Sequence, residues 1–167
     1  PVKDEKQVAI YNKVYELLQK NGFKRYEVSN FARPGFESRH NKKYWDGTNY
    51  LGLGVSAHSY IDDYRFYNTK RLDTYLDAMA DGRSAVYKRE FIGEAERRTE
   101  RIMLSLRTAR GLDLNQFNQD FHEDLLHSRA AAIKRYTDAG MLEIVDGFLK
   151  VADNYFYISN SIILDLL

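Results

Sequence analysis

Seven consecutive residues, Arg39-His40-Asn41-Lys42-Lys43-Tyr44-Trp45, concentrate the side-chain types from which a cofactor site can be made. An imidazole can serve as an axial ligand of haem iron. Aromatic faces can stack on a flat macrocycle, and Arg or Lys can pair with its carboxylates. His40 is therefore the candidate iron ligand. Arg39, Lys43, Asn41, Tyr44 and Trp45 are candidate contacts around it. From residue types alone, a surface histidine beside structural aromatics is the commoner arrangement, so both readings stand at this level.

A second candidate is Leu51-Gly52-Leu53-Gly54-Val55-Ser56-Ala57-His58. Glycines at a strand end let a ligand approach the backbone, and N–H groups there could hold an adenosine or a phosphate. The spacing does not complete a dinucleotide fingerprint, because position 57 is Ala. A tightly packed strand explains the glycines equally well. His58 has no partner at a recognisable metal spacing, since Asp62 and Asp63 read as turn residues. His122 and His127 read as solvated positions. There is no cysteine, so thiolate zinc sites, disulfides and iron–sulfur ligation by this stretch are excluded. No Ser-His-Asp set, nucleophile elbow or phosphate loop is present.

The elements that must position these residues follow from periodicity. Val8, Tyr11, Val14, Tyr15 and Leu18 recur at helical spacing, which predicts an amphipathic helix over 4–20 stopped at Asn21-Gly22. A short strand is expected at 25–28, a long irregular stretch at 29–49, a buried strand at 50–55, an aromatic hairpin over 58–68 turning at Asp62-Asp63, and a helix at 72–81. From 94 the pattern becomes mainly helical. Helices are expected at 94–109, 114–121 (capped by Asp113) and 124–139. A hairpin over 141–151 turns at Asp146-Gly147, and a last helix starts at Ser159. The expected boundary divides 1–92 from a winged-helix-like 93–167.

Charge limits the function of that second part. It carries 9 Lys/Arg against 12 Asp/Glu over 94–167, a net −3. A nucleic-acid-binding module gains affinity by neutralising phosphates, so packing or partner contact is the better expectation. Residues 20–45 are instead basic, with seven Lys/Arg against Glu27 and Glu37. No apolar run approaches the roughly 18 residues of a membrane span, and a cytoplasmic location is the expectation.

Three segments in order carry a resemblance. They are Gly22-Phe23 with Tyr26-Glu27-Val28-Ser29-Asn30-Phe31-Ala32-Arg33-Pro34-Gly35, then His40-Asn41-x-x-Tyr44-Trp45, then Tyr50-Leu51-Gly52-Leu53-Gly54-Val55-Ser56-Ala57-His58-Ser59. Together they resemble the oxygen-independent coproporphyrinogen III oxidase-like radical S-adenosylmethionine family, and the likeness extends over nearly the whole chain. The resemblance implies an α/β (α+β) chain. It would comprise closing strands and helices of a partial (β/α)6 barrel over 1–92 and a small winged-helix-like C-terminal domain over 93–167. It also implies that the Cys-x-x-x-Cys-x-x-Cys motif for a [4Fe–4S] cluster lies upstream, so that this stretch alone holds no cluster. Where the family's dehydrogenases carry Asp-His-Phe-Ala, this chain has Ser29-Asn30-Phe31-Ala32. The His-Asn-x-x-Tyr-Trp segment matches the haem-chaperone branch. That branch implies haem binding at His40, Asn41, Tyr44 and Trp45, and haem delivery to membrane respiratory enzymes. Porphyrinogen decarboxylation is the alternative activity. Gly54, Val55, Ser56, Ala57 and His58 are implied as S-adenosylmethionine contacts, chiefly through the backbone.

Overall fold

The structure, a computed structural model, describes residues 4–167. It is a mixed chain of helices and small antiparallel sheets, and its contacts form two compact units. One unit is discontinuous and joins the first 46 residues to 98–167; the other is 47–97. This partition differs from the sequential split expected at 92/93. The N-terminal segment packs with the C-terminal module rather than with its neighbours in sequence.

In the discontinuous unit, α1 (Asp4–Lys20) is the expected helix. Tyr11, Tyr15 and Leu18 are half-buried, but Val14 stands 45% exposed beside exposed Ile10 and Leu17. A helix carrying two apolar stripes does not reveal from spacing which one is covered. The expected strand at 25–28 is shorter: β1 (Lys24–Arg25) pairs with β2 (Phe31–Ala32) as a two-stranded ribbon. Glu27 leaves that ribbon to form a bridge with Thr108.

The C-terminal module of this unit has a winged-helix-like order of helix, strand, three helices and hairpin. Its elements are α4 (Glu94–Ser105), β6 (Leu112–Asp113), α5 (Leu114–Phe121), α6 (Leu125–Ser128), α7 (Ala130–Asp138), β7 (Leu142–Val145) and β8 (Phe148–Val151). The sheet order is β6-β8-β7. Asp113 caps α5 by accepting from the Gln116 N–H at 3.0 Å, and Asp146 and Gly147 both take positive φ in the hairpin turn. The helix expected over 124–139 breaks at Arg129 into α6 and α7. The core gathers Ile102, Leu106, Phe117, Leu149, Phe156 and Ile162, each at most 2% exposed. Thr99 of α4 is exposed, one turn before buried Ile102. A 3₁₀ segment (Asp153–Ile158) precedes α8 (Ser159–Leu164), so the last helix begins where expected.

One buried cation ties α1 and β1 to this module. The Arg25 side chain is 1% exposed. Its Nη2 meets Asp153 Oδ1 at 2.5 Å, its Nη1 donates to Tyr11 Oη at 3.1 Å, and its guanidinium lies 3.6 Å from the centre of the Phe156 ring. Tyr15 Oη donates to the other Asp153 oxygen at 2.7 Å.

In the unit 47–97, β3 (His58–Ile61) and β4 (Tyr64–Asn68) form the expected hairpin, with Asp62 and Asp63 at positive φ. β4 also pairs with β5 (Val86–Phe91), a strand whose Lys88-Arg89-Glu90 run masks any alternation in the sequence. α3 (Leu72–Ala80) packs through buried Ala78. The strand expected at 50–55 is absent. Only Tyr50 bridges to Tyr60, Leu51 and Leu53 are 61% and 82% exposed, and the chain turns at Gly54 (φ +107°) and Ser56 (φ +60°). Alternate glycines remove every second side chain, and what remains finds no cover among the described residues.

Two outcomes test the Arg25 junction. Arg25→Ala removes a buried ion pair and a cation–π contact, and is expected to cost about 2–4 kcal/mol in urea unfolding; the cost stays below that of a fully buried pair because Asp153 is largely solvated. Burial, and then the bond to Asp153, push the Tyr15 hydroxyl from 10.0 up to about 12. The folded state then keeps a proton that the unfolded chain has lost, so this contribution is intact below about pH 10 and disappears as pH rises through about 12. Stability of Tyr15→Phe should fall less steeply than wild type over that window; parallel curves would refute the coupling.

Candidate functional site

The stretch expected to be irregular contains a helix, α2 (Arg39–Asp46), and this corrects the loop reading of 29–49. Local chemistry explains it. Ser38 Oγ accepts from the Asn41 N–H at 3.2 Å, as an N-cap does, and Gly47 follows the last turn at φ +74°. The Ser38 and Gly47 bracket was legible in the sequence. The density of Pro, Gly and polar residues before it obscured it.

A helix sorts the eight residues of α2 by angle, at about 100° per residue. Pairs four apart then share a stripe. Arg39 with Lys43 and His40 with Tyr44 form two adjoining stripes. Asn41 with Trp45 and Lys42 with Asp46 form two more on the other side. All four residues of the first group are exposed, whereas Asn41 and Trp45 are half-buried. The six-residue constellation therefore does not converge on one point.

The exposed face holds the imidazole firmly. Tyr44 Oη lies 2.8 Å from His40 Nε2, and the two rings meet edge-on at 5.1 Å and 87°. When Nε2–H donates to the Tyr44 oxygen, Nδ1 carries the lone pair and is the nitrogen left as a ligand. Arg39 and Lys43 have no ion-pair partner among the described residues, so the stripe beside the imidazole carries two cations. This donor set fits a haem: one nitrogen for iron and two cations for its propionates. The opposite face lines a cavity that the C-terminal module also lines. Trp45 and Lys42 lie on the wall of a cavity of about 630 Å³, together with residues of α4, α5 and the 106–113 segment.

The second candidate segment is occupied by its own fold. The Gly54 N–H donates to Tyr75 Oη at 3.2 Å, that of Ser56 to the Thr69 carbonyl at 2.9 Å, and that of Ala57 to the Gly54 carbonyl at 3.4 Å. This corrects the expectation of unengaged N–H donors there. Gly52 is required for packing, because a Cβ would lie 2.2 Å from the His58 carbonyl oxygen. The His58 ring stacks on Tyr67 at 5.1 Å and 27°. Among the described residues no group of His, Asp and Glu is arranged to hold a metal ion, and no helix is long and apolar enough to cross a membrane.

Residues 93–154 match the family model described as the HemN C-terminal domain. Similar proteins include the heme chaperone HemW of Lactococcus lactis, 34% identical over 71% of this chain and 31% of that protein. HemW of Mycobacterium tuberculosis is 41% identical over 62% and 27%, and that of Bacillus subtilis 28% identical over 83% and 36%. The chain thus spans about a third of the length of these curated relatives. A solved structure described as coproporphyrinogen III oxidase (HemN) from Escherichia coli, a radical SAM enzyme, superposes with a TM-score of 0.73 over 99% of this chain and 42% of its own, at 18% identity, which shows a shared fold. With the His-Asn-x-x-Tyr-Trp helix set against a HemN-type C-terminal domain, the chain belongs to the coproporphyrinogen oxidase-like radical SAM family, among its HemW-type members.

Proposed function

We propose that this chain supplies the haem-contacting part of a haem chaperone, with His40 as the iron ligand. The observation that carries this reading is the exposed face of α2, where an imidazole bonded to Tyr44 adjoins a stripe formed by unpaired Arg39 and Lys43. Bound there, haem would contribute a redox-active iron. The chain contributes the ligand nitrogen, the hydroxyl that orients it and the two carboxylate-binding cations. Asn41 and Trp45, on the other side of the helix, act by seating α2 rather than by touching the same ring. The names of the HemW relatives support the reading.

The wider activity is proposed on the same basis. Haem would pass from a cytoplasmic protein to membrane respiratory enzymes. The [4Fe–4S] cluster and S-adenosylmethionine would be held mainly by parts of the relatives beyond the third that this cysteine-free chain spans. Any contact of residues 54–58 with S-adenosylmethionine would use the Val55 backbone and the His58 side chain, since the Gly54, Ser56 and Ala57 amides are engaged. We retain 92/93 as the boundary between the barrel-related and C-terminal parts, because the family model begins at 93.

Titrating haem into the protein should give a saturable shift of the Soret band. His40→Ala should weaken binding at least tenfold, about 1.4 kcal/mol. Tyr44→Phe, which frees the imidazole, should weaken it about tenfold while leaving a ligated spectrum. Identical titrations for wild type and His40→Ala would dismiss His40 as the ligand.

A further inference from the structure

The cavity behind α2 has the construction of a second binding site. Its volume of about 630 Å³ falls in the range of small-molecule pockets, roughly 300–1,000 Å³. It lies wholly within the discontinuous unit, between α2, β1 and the C-terminal module. Trp45, Phe117 and Phe148 supply aromatic wall, and Lys24, Arg101 and Arg110 supply positive charge.

The balance of charge decides what could enter. Lys24 has no ion-pair partner among the described residues. Arg110 lies 5.0 Å from the centre of the Phe148 ring and pairs with no carboxylate there. Arg101 reaches Asp120 only at 3.8 Å. Of the three wall carboxylates, Asp113 caps α5, Glu37 pairs with Lys42 at 3.3 Å and Asp46 is also engaged, and the wall carries more cations than anions. Aromatic surface beside under-neutralised cations suits a flat organic anion, by stacking and charge-assisted hydrogen bonding together.

We propose that this cavity binds a planar aromatic small molecule bearing carboxylate or phosphate groups, its ring against Trp45 and Phe148 and its anionic groups on Lys24, Arg101 and Arg110. Trp45 lies five residues beyond His40, about 140° around the helix. One flat ring cannot touch both, so the cavity is separate from the His40 face and its occupancy does not depend on iron ligation.

Trp45 is the chain's single tryptophan, so its emission reports on the cavity directly. Two probes separate the sources of the anion. Metal-free protoporphyrin IX carries carboxylates but no iron for His40, and adenosine triphosphate carries phosphates. One of them should change Trp45 emission saturably. Lys24→Gln/Arg110→Gln, at two exposed positions, should raise the half-saturation concentration at least tenfold with an unchanged far-UV circular dichroism spectrum. His40→Ala should leave it unaltered. No saturable change with either probe, or equal titrations for wild type and the double variant, would overturn the proposal. Loss of iron-haem binding in His40→Ala bears only on the other face.

Discussion

The Arg25 guanidinium is the point on which the discontinuous unit depends. Burying a charge is costly unless it is paired and hydrogen-bonded, and Arg25 recovers that cost only from residues distant in sequence. Asp153 lies 128 positions away, and Phe156, whose ring the guanidinium covers, is itself in the core. Tyr11 and Tyr15 on α1 complete the cluster. Remove the cation and Asp153 loses the charge that holds it, leaving α1 its Tyr15 hydrogen bond and the chain after β1 its backbone bonds at Tyr26 and Glu27.

That tie also positions the candidate site. The Tyr26 carbonyl accepts from Ala109 N–H at 3.2 Å, and Glu27 bridges to Thr108, so the chain emerging from β1 is held alongside the end of α4. α2 then follows with Trp45 toward the C-terminal module and His40 away from it. A motif that reads as one constellation becomes a helix with two faces: one lines a cavity, and the other presents an imidazole beside a stripe of two cations. This explains why Trp45 shares the motif with His40 although the two point to different surroundings.

The unit 47–97 is organised differently. It buries mainly small residues, Ser59, Thr69, Ala78 and Ala85, with Ile92 as its large apolar member. Its order comes from the β3-β4-β5 ladder and from polar ties, such as Asn49 bonded to both the side chain and the backbone of Asp62, and Arg97 paired with Asp63 at 2.8 Å. Residues 50–57 therefore follow a path set by hydrogen bonds rather than by hydrophobic burial. A strand inferred from Leu and Val content fails there for that reason.

Elements whose signals are local were legible in the sequence. The Asp62-Asp63 and Asp146-Gly147 turns, the Asp113 cap, α1 and the helix-rich winged module each follow from residues within one turn of themselves, as does the choice of His40 and its neighbours as the chemically distinctive segment. What required the tertiary structure was everything fixed by a distant partner. β5 exists because β4 pairs with its charged strand. Val14 is exposed because Tyr11 and Tyr15 turn the other stripe of α1 toward Asp153. His40 and Trp45 diverge because a capped helix turns one toward solvent and the other toward a cavity that the C-terminal module closes from far along the chain. Sequence spacing encodes periodicity and turn chemistry, which are properties of neighbouring residues. It does not encode which face is covered, because that depends on burial against chain that lies far along the sequence.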